Sequence, residues 1–236
     1  MVKYHLKRVA APRTWRIMRK SAVFIARPLP GRGTLRLSMP LSVWMKEKLG
    51  ICSTTSEVNY LLRNKKLLVN QKAPKNHKVP VSLFDVISIP QTGQHFRAVL
   101  TKGGYLSAVP IVESESSLKV LKLISKTSLK KGIAQLNFSD GTNLLHDGKI
   151  EISIRDSVLF EFREKKIKEV FKLEKGSVVF FVSGSHIAEI GIVDSVTTQK
   201  AVVKLGDNTK EVEIASLIVV GKKQPAITIR RESNAS

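Results

Sequence analysis

The sequence predicts an α+β fold that is predominantly β, opened by an extended basic arm and closed by a small barrel. Three observations carry that expectation. The first 38 residues are basic, are broken by Pro12, Pro28, Pro30, Gly31 and Gly33, and follow neither a helical nor a strand period. Two segments after Pro40 space their apolar side chains as a helix does, with start and stop signals at their ends. From Phe96 onward the pattern turns to short β-branched runs separated by turn residues.

The 236 residues, 42% of them hydrophobic, allow one large domain or two to three small ones. Forty Lys and Arg against nineteen Asp and Glu give a formal charge of +21, so a polyanion is the natural physical complement. The excess is graded along the chain. Residues 1–36 hold ten cations and no acid, 37–112 hold ten and three, and 113–236 hold twenty and sixteen. A solubility device would spread its charge, whereas this gradient puts the electrostatic footprint in the first half. Cys52 is the only cysteine, which excludes an intrachain disulfide and a cysteine-based zinc site and suits a small apolar core position. No continuous apolar h-region opens the chain, and no run approaches the roughly 18–20 apolar residues that span a bilayer. A soluble, cytosolic protein is expected.

Taken in order, residues 1–38 are expected as the arm, whose unopposed charge would order on a polyanion; a disordered tail is the plainer reading. Pro40 suits a first helical turn, Leu41, Trp44, Met45 and Leu49 follow at helical spacing, and Gly50 stands where a helix ends. A second helix should start at Thr54, with Glu57 at capping-box spacing, and run through Val58, Leu61 and Leu62 to Arg63, Lys65 and Lys66. Cations at a helix end also complement the helix dipole, so that cluster has a structural reading beside the functional one. Strands are expected at 67–69, 79–81 and 86–89, the last stopped by Pro90. Further strands are expected at 96–101, 105–112, 118–124, 133–138, 150–154 and 158–162, with turns at Lys102-Gly103-Gly104 and Asp140-Gly141. Gly176 opens a last unit with strands at 178–182, 190–196, 201–205, 211–214 and 217–220 and a Gly206-Asp207-Asn208 turn, a barrel by strand count and spacing. Phe180 and Phe181 are expected in its core. Domain boundaries follow at 1–38, 39–95, 96–174, 175–222 and 223–236.

Some strings are more specific than any pattern. His5-Leu6-Lys7-Arg8-Val9-Ala10-Ala11-Pro12, followed by Trp15, resembles the N-terminus of the eukaryotic-type small-subunit ribosomal protein four family of archaea and eukaryotes. The resemblance continues through Asp85-Val86-Ile87-Ser88-Ile89, Thr92-Gly93, Phe96-Arg97, Ser139-Asp140-Gly141 and Ile218-Val219-Val220-Gly221-Lys222. It implies that 39–95 is an S-four-like RNA-binding module of two helices and a small sheet, that 96–174 is a β-rich central domain, and that 175–222 is a KOW domain of SH3-like barrel type. It further implies a structural, non-catalytic constituent of the small ribosomal subunit that binds ribosomal RNA and adjoins neighbouring ribosomal proteins, of archaeal type, with no cofactor, small-molecule substrate or membrane.

That role asks for cations against phosphates and an ordered surface that matches RNA shape. Phosphate contact is expected first from Lys7, Arg8, Arg13, Arg16, Arg19, Lys20, Arg27, Arg32 and Arg36, with Trp15 as a wedge or stacking ring. His5 could bond phosphate or base, although a lone histidine more often packs or faces solvent. Lys46, Arg63, Lys65, Lys66 and Lys72 come next. In the loop 184–191 the chain has Ala188-Glu189 where the family pattern carries a Gly-Lys or Gly-Arg pair, so a structural or protein-facing barrel is expected, with Gly184 and Gly191 serving backbone geometry. Gln135, Ser139 and Thr142 likewise stand where relatives place His and Arg.

Three other classes fit less well. An RNA-modifying enzyme would need a catalytic constellation, but the sequence holds no P-loop, no G-x-G-x-x-G after a strand, no H-E-x-x-H and no Cys–His pairing, and no metal site. A free KOW-type transcription factor is allowed by charge and barrel but not by the N-terminal string. Membrane attachment would need a basic amphipathic helix or a lipidation signal.

Overall fold

A computed structural model describes residues 5–129, 133–146, 152–206 and 208–230. It forms two compact units. The first comprises residues up to Val99, Tyr105–Ser117 and the stretch from Arg230; the second comprises Leu100–Gly104 and Leu118–Ile229. The fold is predominantly β with few helices.

The first unit begins with an antiparallel pair, β1 (Leu6–Lys7) and β2 (Phe24–Ile25), Leu6 opposite Ile25. Two 3-10 turns lie between them, Arg8–Ala10 and Arg13–Trp15. The segment therefore differs from the extended arm that its composition suggests. Trp15 is completely buried, and its indole Nε1 donates to the carbonyls of Leu35 at 3.2 Å and Ser38 at 3.0 Å. A buried aromatic ring with its polar atom satisfied is anchor enough to fold a basic segment onto the protein.

Strand β3 (Ser38–Pro40) runs into helix α1 (Leu41–Val43), which continues as a π-helical turn over Trp44–Lys48. There the Leu49 N–H reaches back five residues to the Trp44 carbonyl at 2.9 Å. Leu41 through Met45 are all buried, so this helix is enclosed rather than amphipathic. Helix α2 (Thr55–Arg63) starts at the expected cap: Thr54 Oγ1 accepts from the Glu57 N–H at 3.2 Å, and the Glu57 carboxylate accepts from the Ser53 N–H at 2.8 Å. Val58 and Leu62 face inward, and Cys52 is buried.

Strands β4 (Leu68–Val69), β5 (Pro80–Ser82), β6 (Val86–Ile89), β7 (Gln94–Leu100) and β8 (Leu106–Ile111) complete the unit. β3 pairs with β5, and the other four form one sheet in the order β4-β6-β7-β8. Its polar centre is Asp85, fully buried. The carboxylate accepts from Asn70 Nδ2 and the Ser82 N–H, both at 2.7 Å, and Asn70 Oδ1 accepts from the Val86 N–H at 2.9 Å. A buried charge is tolerable only when bonded in this way.

The second unit holds two five-stranded antiparallel sheets. One is built from β9 (Leu118–Ser128), β10 (Ala134–Phe138), β11 (Asn143–His146), β12 (Ser157–Glu161) and β13 (Lys166–Phe171) in the order β11-β10-β9-β12-β13. Leu121, Leu123, Leu136, Phe138, Ile152, Val158 and Phe160 form its core. The other is built from β14 (Val178–Phe181), β15 (Ile190–Val196), β16 (Lys200–Leu205), β17 (Asn208–Glu213) and β18 (Leu217–Gly221) in the order β17-β16-β15-β14-β18. Phe180 and Phe181 are buried in it, as expected.

The strands at 143–146 and 166–171 are not legible in the sequence, being polar or charged edge strands with little apolar alternation. Of the strand expected at 150–154, residues 150 and 151 lie outside the described residues and Ile152–Ile154 is not a strand. Asp207 and residues 231–236 also lie outside the described residues.

Two buried lysines organise the second unit. Lys119 Nζ meets Asp140 Oδ2 at 2.6 Å, and Thr142 adds two bonds to the same carboxylate at 2.8 Å each. Lys122 Nζ donates to the carbonyls of Ile214 and Leu217 at 2.6 Å each and of Ala215 at 3.2 Å, tying β9 to the turn before β18. Burial, reinforced by Arg155, pulls its pKa down from the usual 10.5 to about 8. The unfolded chain therefore binds the extra proton over about pH 8 to 10.5, and this group's contribution to native stability rises with pH across that window. Lys122→Met is expected to cost about 2–4 kcal/mol at neutral pH by orphaning buried carbonyls, and to flatten the rise. Urea denaturation at several pH values checks both; an unchanged midpoint and slope would refute this role for Lys122.

Candidate nucleic-acid interface

Three anchors fix the acid-free N-terminal segment. Trp15 supplies the first. The second is Arg8, itself buried, whose guanidinium bonds the Met18 carbonyl and the Glu47 carboxylate. The third is Arg32, whose Nη1 stands 3.6 Å from the buried Asp85 carboxylate. Thr14 Oγ1 adds a bond to the Arg36 carbonyl at 2.6 Å, and the Arg8 N–H donates to the Val23 carbonyl at 2.9 Å. The sequence places Trp15 and Arg8 on the RNA face. The structure puts both in the core instead: Trp15 offers no ring face for stacking, and the Arg8 charge is already neutralised by Glu47.

What these anchors hold outward is cationic. Lys7, Arg13, Lys20, Arg27 and Arg36 are exposed and have no acidic partner among the described residues. Arg16, also exposed, adopts φ +44° and lays its guanidinium over the Tyr105 ring at 5.2 Å. Arg19 is half-buried and donates to the Val9 carbonyl at 2.6 Å. His5 is exposed and meets Phe24 edge-on at 5.5 Å, so a histidine and an exposed phenylalanine share one end of the β1–β2 pair.

The second group extends this surface within the same unit. Lys46 Nζ donates to Thr55 Oγ1 at 3.2 Å, Lys66 lies over the Tyr60 ring at 5.6 Å, and Arg63, Lys65 and Lys72 are exposed. Two further residues, which sequence reasoning does not single out, lie close to these cations. Lys48 is pulled below its usual pKa by burial and by Arg16, and His77 by burial, Lys78 and Lys46. Burial is the larger cause in both, and the neighbouring like charges act in the same direction. Only the fold brings Lys48 beside Arg16 and His77 beside Lys46.

The second unit is different in kind. Asp194 stands between Lys175 and Lys204 at 3.5 Å each, Lys222 meets Glu169 at 2.9 Å, and Lys200 meets Glu211 at 3.3 Å. In the loop 184–191, Glu189 accepts from His186 at 3.0 Å and lies 3.9 Å from Lys102. Gly184 is exposed with φ +93°. Gly191 has no room for a side chain, since a Cβ would lie 2.4 Å from Val203 and 2.9 Å from the Lys204 carbonyl. Gln135 is occupied by Asn137, and Thr142 by Asp140. Among the described residues no group of His, Cys, Asp and Glu could hold a metal ion, and no helix is long and apolar enough to cross a membrane.

Comparison with known proteins adds independent findings. The ribosomal family S4e model matches residues 92–167, and the RS4NT (NUC023) domain model matches residues 2–31. The small ribosomal subunit protein eS4 of Methanocella arvoryzae is 35% identical over 229 residues, covering 94% of this chain and 96% of that protein. The eS4 of Pyrobaculum aerophilum is also 35% identical, over 95% and 98% of the two chains. The crystal structure of the 30S ribosomal protein S4e from Thermoplasma acidophilum superposes with a TM-score of 0.67 at 23% identity, covering 79% of this chain and 96% of that one, and so shares the fold.

Ala188 occupies the left-handed region at φ +65°, a conformation that a side chain disfavours by about 1–2 kcal/mol. Ala188→Gly is expected to raise stability by about 0.5–1 kcal/mol, read from the shift of a thermal or denaturant midpoint. Equal or lower stability would show that the loop is not strained there.

Proposed function

The chain belongs to the ribosomal S4e family, and from that membership we propose that it is a structural constituent of the small ribosomal subunit that binds ribosomal RNA and has no enzymatic activity. The observation that carries the RNA interaction is the acid-free segment held on its anchors with six of its described cations exposed. Lys7, Arg13, Arg16, Lys20, Arg27 and Arg36 take phosphates from that segment, and Lys46, Arg63, Lys65, Lys66 and Lys72 continue the track. Arg19 and Arg32 shape the backbone that presents them, and His5 adds a donor at the β1–β2 end. Binding of this type follows phosphate position and RNA shape, since A-form RNA closes its major groove to side chains.

The finer architecture follows the same reading. Residues 1–38 act as a basic segment folded onto an S-four-like module of α1, α2 and a small sheet in 39–95. A β-rich central domain fills 96–174, and the strands from β14 to β18 make a KOW domain of SH3-like type in 175–222, followed by a tail at 223–236. Five antiparallel strands with β14 and β18 adjacent support that assignment. Internally paired cations and the Ala188-Glu189 pair direct this domain toward neighbouring ribosomal proteins.

Filter binding of the full chain to a small-subunit ribosomal RNA transcript over a salt series tests the reading. Each phosphate that a cation neutralises adds roughly 0.7–0.9 to the slope of log affinity against log salt. The triple variant Arg13→Gln, Lys20→Gln, Arg36→Gln is therefore expected to weaken binding and to reduce that slope by about 2. An unchanged slope would remove the segment from the interface. Binding to unrelated RNA as tight as to the ribosomal transcript, together with a protein that sediments apart from small subunits, would overturn the function itself.

A further inference from the structure

Residues of the loop 27–38, with Lys78, line a half-open cavity of about 540 Å³ in the first unit, within the size range of sites that take small organic ligands. Two chemistries line it. Arg27, Arg32 and Lys78 supply positive charge, and Pro28, Leu29 and Leu35 supply apolar wall, with no acid among the lining residues. The cavity is also held from behind. The Leu29 N–H donates to the Lys78 carbonyl at 3.0 Å, and Trp15 and Thr14 grip the carbonyls of Leu35, Arg36 and Ser38. Gly33 completes the fit: its φ is +59°, and a Cβ there would come 2.7 Å from Ser82 Oγ.

Arg32 makes the cavity more than a depression. Its Nη1 is buried, has no hydrogen-bond partner among the described residues, and stands 3.6 Å from Asp85. Asp85 fixes that inner nitrogen, so the partly exposed remainder of the guanidinium is set at the cavity wall, where it can donate to an anion. Phosphate alone would not explain the apolar wall, and an apolar ligand would not explain three cations. A nucleotide satisfies both, its phosphate on the cations and its base against proline and leucine.

We infer that this cavity receives a single unpaired nucleotide extruded from the bound RNA, an assignment that rests on the RNA-binding reading above. Splayed-out nucleotides are the usual targets of specific protein recognition in RNA, because their bases can leave the stack and enter pockets. The cavity thereby gives a mainly phosphate-following surface one fixed point of register.

Ultraviolet crosslinking of the full chain to a small-subunit ribosomal RNA transcript, followed by nuclease digestion and mass spectrometry, tests it. The expected result is a nucleotide adduct on the peptide containing Pro28–Leu35. Leu35→Gln, which removes apolar wall without changing charge, should lower that adduct about tenfold, equivalent to about 1.4 kcal/mol of base stacking, while total RNA retention stays within about threefold because other cations still hold the backbone. Lys78→Gln should also reduce the adduct, and does so without touching the wall. Adducts confined to other peptides, or an adduct yield unmoved by both variants while RNA remains bound, overturns the cavity assignment alone. Failure of the wild-type chain to retain the transcript overturns the RNA reading and the cavity with it. Excess free nucleoside monophosphate is expected to leave the adduct in place; loss of the adduct with RNA still bound marks a site for free nucleotides and overturns the assignment to RNA.

Discussion

Like-charge repulsion within one short stretch is the constraint from which the rest of this molecule follows. Ten cations and no carboxylate occupy the first 36 residues, so the segment cannot neutralise itself. It is held by groups that come from elsewhere in the chain or carry no charge: Glu47 beneath Arg8, Asp85 behind Arg32, and the Trp15 ring in the core. The Trp15 indole and the Arg8 guanidinium find hydrogen-bond acceptors where they are buried, the condition for burying them at all, and Arg32 is set against the Asp85 charge. Two of the ten charges serve in this way. Lys7, Arg13, Arg16, Lys20, Arg27 and Arg36 stand exposed on a backbone that is already fixed, so an approaching phosphate chain meets a surface and not a tail, and less conformational entropy is lost on binding.

Charge balance also separates the two units. In the second unit acids lie beside the lysines: Asp140 with Lys119, Asp194 with Lys175 and Lys204, Glu169 with Lys222. The pairs made by Asp194 and Glu169 are exposed and add little stability, but they cancel the local field. Lys119 and Lys122 serve a different purpose, since both are buried and both are bonded within the fold. The exposed cations of the N-terminal segment have no acidic partner among the described residues, whereas several lysines of the second unit are buried or paired.

Much of the fold was legible. The helix cap at Thr54 and Glu57, the strand 86–89 and the buried Phe180 and Phe181 follow from spacing and local chemistry, which act within a few residues. The strands Asn143–His146 and Lys166–Phe171 were not legible, because edge strands owe their structure to a neighbour's hydrogen bonds and not to their own side chains. The π-helical turn after Val43 was equally hidden: a single widened turn is too short to leave a period of its own in the sequence.

The sequence by itself determined the polyanionic partner, the family and the stretch of chain that carries the charge, since composition and a long specific string survive any arrangement of the backbone. Only the tertiary structure decided which of those residues face outward. Trp15 and Arg8 belong to the same stretch as Lys7 and Arg13, yet two are core and two are surface. Lys48 and His77 come beside Arg16 and Lys46 only through folding. Exposure and proximity are properties of three-dimensional neighbours, and Glu47 lies too far along the chain from Arg8 for any local pattern to announce the pair.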